Sequence, residues 1–126
     1  MQKVALDLPS DCPVFSREEF NLATLRDIGV QRELIEAFLK EGTTCRAELV
    51  DMARSSPERF RHAVHRLKGS CHYMAGLRLL WVLGLMTDRV NMDSALGRVQ
   101  AAECIIQELV HLEGSLAGML AELKDA

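Results

Sequence analysis

The chain has 126 residues, enough to close one hydrophobic core and too few for two ordinary domains. A formal net charge of -3 and an isoelectric point near 5.8 exclude the broad basic surface with which general nucleic-acid binders displace counterions. The longest apolar run, Leu79 to Met86, is far shorter than the roughly 20 residues that cross a bilayer, so no membrane insertion is expected.

Residues 1–14 carry Pro9, Ser10, Asp11 and Pro13 and read as an irregular lead-in or linker. They lack the apolar run of a signal peptide. The domain proper is expected over residues 15–126. Ser16 followed three residues later by Glu19 forms a capping box, and Phe15 stands where it can staple onto Phe20. A short first helix starts there and is expected to stop near Gly29.

A longer second helix follows, with Leu34, Phe38, Cys45, Leu49 and Met52 at helical spacing. It ends at Ser55-Ser56-Pro57, where Ser56 caps the third helix and Pro57 opens it. The third helix is expected to terminate near Ala75-Gly76, Gly being the usual residue past a helix end. A fourth runs from Leu77 to about Val90 on an inner stripe of Leu79, Val82, Leu83, Met86 and Val90. Asn91-Met92-Asp93-Ser94 breaks the chain, with Asp93 or Ser94 as the next cap. The last helix, about 95 to 124, is expected to bury Leu96, Val99, Cys104 or Ile105, Leu109, Leu112, Leu116, Met119 and Leu123. No segment alternates with the two-residue period of a strand. The fold class is all-α, an antiparallel up-and-down four-helix bundle with a short additional N-terminal helix.

Cys12, Cys45, Cys71 and Cys104 are widely spaced and form no Cys-x-x-Cys pair that would suggest zinc or redox chemistry. Three lie on apolar helical faces, which reads as buried, reduced thiols of a cytoplasmic protein.

The chemistry concentrates in the third helix. At about 100° per residue, Phe60, Ala63, Leu67, Ser70, Cys71 and Met74 gather on one side, and His65 points away from it into solvent. Lys68 and Gly69, three and four residues on, neighbour the imidazole on that outer surface. A cation there disfavours a second positive charge on the ring, which keeps a nitrogen lone pair available for attack, and it pairs with negative charge that later appears. Gly69 costs about 1 kcal/mol relative to Ala inside a helix. Facing away from the core, its use is access for another protein's surface. Arg61, His62 and His72 lie on roughly the same face and make it locally cationic, a surface suited to phosphoryl chemistry.

The run His65-Arg66-Leu67-Lys68-Gly69-Ser70-Cys71 resembles the His-x-x-Lys-Gly-Ser segment of histidine-containing phosphotransfer (HPt) domains of bacterial phosphorelays. The likeness extends from about Phe15, through Phe38-Leu39, to about Val90. It departs from the family's usual pattern at Ala75-Gly76 and at His72. The resemblance implies that His65 is the phosphoacceptor, Lys68 the stabilising cation and Gly69 the access position, with Arg61, His62 and His72 facing the partner. The implied partners are response-regulator receiver domains and a hybrid sensor histidine kinase. The implied cofactor is Mg²⁺, carried by the receiver and not by this chain. Such a protein is free-standing in the cytoplasm or the cytoplasmic module of a membrane-bound sensor kinase. No Gly-x-x-x-x-Gly-Lys loop is present, so no ATP-dependent kinase activity is expected.

Two other readings stand beside this one. The first is a helical adaptor that docks partners without being phosphorylated. The second is a bundle that binds a metal through His62, His65 and His72, although His72 lies two turns beyond His65 and the site would need a ligand from another helix. Finally, Leu77, Trp81 and Leu85 form a second apolar stripe on the fourth helix. Either the lead-in, with Val4, Leu6, Leu8 and Val14, covers it, or it is a self-association or interdomain patch.

Overall fold

The computed structural model describes residues 12–125 apart from Val90. Most of the 1–14 lead-in, and Val90 as the end of the fourth apolar stripe, therefore lie outside the described residues. Among the described residues the secondary structure is entirely helical: α1 Arg17–Ala23, α2 Ile28–Ser55, α3 Pro57–Met74, α4 Leu77–Arg89 and α5 Ala95–Asp125. No helix is long and apolar enough to cross a membrane among those residues.

The boundaries follow from identifiable caps. Ser16 accepts a hydrogen bond from the Glu19 amide, and the Phe15 and Phe20 rings meet edge to face at 5.7 Å between centroids, the expected hydrophobic staple. Ser56 ends α2 and caps α3 through the Arg59 amide, with Pro57 at the first helical position. Of the two candidate caps before α5, Ser94 is the one used, accepting from the Gly97 amide at 3.2 Å.

Two local expectations are corrected, and the end of α3, which falls at Ala75 as expected, is sharpened. α1 stops at Ala23 rather than near Gly29. The corner is turned by Leu25 and Arg26, both in the left-handed region at φ 53° and 58°, and Asp27 then caps α2 through the Val30 amide at 3.0 Å. Gly29 falls inside the first turn of α2. The strained corner is held by the buried Gln31 amide, which donates to Asn21 Oδ1 at 2.8 Å and to Thr24 Oγ1 at 2.9 Å. At the end of α3 the left-handed residue is Ala75, at φ 52°, not Gly76. Gly76 packs closely for a different reason, since a Cβ there would lie 2.6 Å from Leu112 Cδ2 of α5 and would displace that side chain. Lastly, Leu96 is exposed, and Gly97 and Arg98 take the buried positions at the start of α5. The rest of its apolar stripe, Ile105, Leu109, Leu112, Leu116 and Met119, is buried as expected, with Val99, Cys104 and Leu123 only partly so.

Packing runs in a cycle. α2 lies against α3 and α5, α4 lies against the same two helices, and α1 closes over α3. The core inside contains Phe20, Phe38, Phe60, Leu83, Ile105 and Leu112 among others, all buried.

Polar ties tie the helices at fixed heights. Arg46 of α2 holds the buried Glu113 of α5 through two contacts, at 2.6 and 3.2 Å, and Gly42 makes room for that carboxylate. Arg78 of α4 pairs with the buried Glu108 of α5 at 3.1 Å. Arg98 is 4% exposed and donates to the carbonyls of Ala53 in the last turn of α2 (2.8 Å) and Met92 before α5 (3.0 Å). These carbonyls lack a helical partner, and a buried one left without a donor costs about 1–3 kcal/mol. Arg98→Ala is therefore expected to lower stability by about 1–3 kcal/mol, seen as a lower urea midpoint at unchanged slope. An unshifted midpoint would mean that water replaces the guanidinium at no cost.

Candidate functional site

α3 presents its two faces as the helical period requires. Phe60, Ala63, Val64, Leu67, Cys71 and Met74 are buried, whereas Arg61, His62, His65, Gly69, His72 and Tyr73 are exposed. Ser70, expected on the inner side, is half-buried.

His65 sits on the rim of an open groove of about 370 Å³ that it lines together with Arg61, Val64 and Lys68 of α3, Thr87 of α4 and Met92 of the α4–α5 connection. Lys68, which lines the groove, is half-buried, as befits a long side chain that can cover apolar surface with its stem and keep its charge in water. Among the described residues, the ion pairs of this face involve Arg61 and neither His65 nor Lys68. A Cβ built on Gly69 meets no other group within 4 Å. The surface beside the imidazole is open.

Arg61 is engaged across the groove. Its guanidinium donates to Asp93 Oδ1 at 2.7 Å, with both side chains well exposed. Such a pair contributes little to stability, but it orients Arg61 and puts a carboxylate close to the cationic face. Thr87, Met92 and Asp93 were not anticipated as site residues. They are distant in sequence from His65, and no local pattern marks them; the α3–α4 packing alone brings them in. Arg66 belongs elsewhere, to a separate groove between α2 and α3 that it shares with Cys45 and Glu48.

His62, His65 and His72 are all exposed on α3, yet among the described residues no three His, Cys, Asp or Glu side chains gather as metal ligands. The fourth histidine, His111, is on α5, where its Nδ1 lies 3.6 Å from Glu108.

Behind the motif, Cys71 is fully buried as a free thiol. The other two cysteines on the helices, Cys45 and Cys104, are only partly buried, as is Cys12 in the lead-in. Burial pushes the Cys71 thiol from an ordinary 9.0 up to about 12, reinforced by Cys45 and Glu41 nearby. Burial also raises the Cys45 thiol, with Glu41 adding to it. Neither is arranged as a reactive thiolate, which requires a lowered value.

The chain matches no protein-family model, and comparison with curated proteins and with solved structures returns no significant match.

Two outcomes follow from this geometry. Gly69→Ala should raise stability by about 1 kcal/mol, read as a higher melting temperature, since the new methyl meets nothing and the helix former improves. A fall in melting temperature would mean that the outer face of α3 is covered. The second concerns Cys71. Below pH 9 the thiol is protonated in both states; between pH 9 and about 12 the unfolded chain releases the proton and the native one keeps it. Stability therefore falls as pH rises, by about 1.4 kcal/mol per pH unit from this group. Urea titrations should show the stability difference between wild type and Cys71→Ala shrinking through that range, and a constant difference would contradict the assignment.

Proposed function

We propose that this chain is a phosphorelay intermediate of the histidine-containing phosphotransfer type, with His65 as the phosphoacceptor. The observation that carries the reading is the solvent-exposed imidazole at the rim of a groove, with Lys68 beside it and open space over Gly69. The sequence resemblance described above points the same way. In this reading α2 to α5 form an antiparallel up-and-down four-helix bundle with α1 as the short additional helix, an arrangement supported by the closed cycle of packing from α2 through α3, α4 and α5.

The chemistry is a reversible transfer between carboxylate and imidazole. A receiver domain brings an aspartyl phosphate and its own Mg²⁺ to the α3 face. The unprotonated ring nitrogen of His65 attacks phosphorus, the phosphorus–nitrogen bond forms, the acyl phosphate bond breaks, and the aspartate leaves as a free carboxylate. Passing the group to a second receiver reverses these steps. The transferred group carries its charge on oxygens, so positioning and charge neutralisation dominate the barrier. Lys68 supplies a cation that pairs with those oxygens, and Arg61, His62 and His72 supply a cationic surround for the receiver's acidic site. The chain acts as a carrier, without an ATP-dependent kinase activity of its own, in the cytoplasm or on the cytoplasmic side of a sensor kinase.

The test is transfer of label from a phosphorylated receiver in the presence of Mg²⁺. Wild type should acquire an acid-labile, base-stable phosphohistidine, and His65→Gln should acquire none. Lys68→Ala should fold normally and accept phosphate more slowly or hold it for less time. Gly69→Gln should also fold, yet accept little, because its side chain fills the space beside the ring. Label on His65→Gln at the wild-type rate would overturn the reading; absence of label on wild type across a broad receiver panel would favour the adaptor.

A further inference from the structure

His65 has a cation one turn to either side on α3. Arg61 stands four residues before it and Lys68 three residues after, positions whose Cβ atoms lie about 5–6 Å from that of the histidine. Cα–Cβ bonds on a helix tilt toward its N-terminus, so the imidazole sets out over the turn of Arg61, and Lys68 sets out over the turn of His65. All three line one groove with Val64 and Met92, apolar neighbours beside which a charge interaction is stronger than in open water. The two cations differ in one respect. Arg61 Nη2 donates to Asp93 Oδ1 at 2.7 Å, whereas no ion pair among the described residues involves Lys68.

We infer that Arg61 is a second phosphoryl-binding residue of this site, held by Asp93 while the ring is bare and turned to the phosphoryl oxygens once His65 carries them. This role rests on the phosphotransfer reading of His65 and adds to it a competition between two anions for one guanidinium.

The competition favours the phosphoryl group. An exposed pair of arginine and carboxylate is weak, and the Arg61 and Asp93 side chains are 57% and 86% exposed. A phosphoryl group offers about −1.5 to −2 charge and three acceptor oxygens, which match the guanidinium fork two N–H groups at a time. Asp93 loses little on release, because it stands one residue before Ser94, the cap of α5, where the positive end of the helix dipole stabilises a carboxylate. The pair also has a use in the bare state. A lone carboxylate beside the groove would repel an incoming phosphoryl group, and Arg61 neutralises it.

The alternative is a surface tie between α3 and the α4–α5 connection with no part in phosphate chemistry, and a reagent that needs no receiver separates the two. Phosphoramidate phosphorylates exposed histidines. A ring nitrogen attacks phosphorus, the phosphorus–nitrogen bond of the reagent breaks, and ammonia leaves as ammonium with the ring's proton. The full chain is treated at neutral pH, and labelling rates at His65 and His111 are followed by mass spectrometry. His111 is on α5, half exposed and outside the groove, so the ratio of His65 to His111 cancels general effects of a substitution. Arg61→Ala should lower that ratio about tenfold, the worth of one charge-assisted contact. Asp93→Asn should raise it about two- to fivefold, the strength of an exposed ion pair. The double variant should match Arg61→Ala, since Asp93 acts only through Arg61. Both side chains are well exposed, so helicity by circular dichroism should stay unchanged. A ratio unchanged by Arg61→Ala, a ratio left unchanged or lowered by Asp93→Asn, or a rise on Asp93→Asn that persists without Arg61 would each overturn the assignment. So would a His65 that takes no label. Failure to accept phosphate from receivers is a separate result: it would remove the relay role and would not alter this ratio.

Discussion

Burial of one stripe along α3 is the constraint on which the rest of the molecule depends. Phe60, Ala63, Val64, Leu67, Cys71 and Met74 all face inward, and each large one among them contributes about 1.5–3 kcal/mol by leaving water. No rotation of the helix that would turn His65 inward keeps that stripe buried. The helical period therefore commits His65, Gly69 and His72 to solvent as firmly as it commits Leu67 and Cys71 to the core. The outward histidine is a by-product of core packing.

The neighbours of α3 turn that exposed face into a shaped one. α4 and the segment after it bring Thr87, Met92 and Asp93 alongside Val64, His65 and Lys68, and the relative height of these elements is set from the other side of the molecule. Arg98 holds the end of α2 and the start of α5 together through two carbonyls, while Glu108 and Glu113 tie α5 to α4 and α2. Paired charges of this kind add little net stability over an apolar contact, but the two hydrogen bonds from Arg46 to Glu113 are directional and penalise sliding of α2 past α5. The groove at His65 inherits its shape from these ties.

The groove at His65 and the groove at Trp81, which Leu77, Leu80 and Leu85 of α4 also line, differ in character. The one at His65 is bounded by Arg61 and Lys68, with Asp93 paired to Arg61, and its character is electrostatic. The one at Trp81 is apolar and lies along α4, where the N-terminal chain meets the body of the protein. One polypeptide thus carries a polar face on α3 and an apolar face on α4 whose removal from water would be favourable.

Helix number, helix type and the identity of the exposed motif were legible in the amino-acid order, because capping boxes, proline positions and a 3.6-residue period act over a few residues. Ser16 with Glu19, Ser56 with Pro57, and the α3 stripe are such local signals. The tertiary structure decided what local rules leave degenerate. Gly29 and Gly76 looked like helix terminators, yet the left-handed positions went to Leu25, Arg26 and Ala75. In the first case the Asn21, Thr24 and Gln31 cluster holds the strained corner; in the second, the close approach of Leu112 reserves Gly76 for its missing Cβ. Leu96 lost its place in the core to Arg98, whose value lies in two carbonyls from distant segments. Asp93 opposite Arg61 was likewise invisible, since residues 32 positions apart meet only when α3 and α4 pack. Periodicity determines which face of a helix is dry, whereas the pairing of faces is a property of the packed chain.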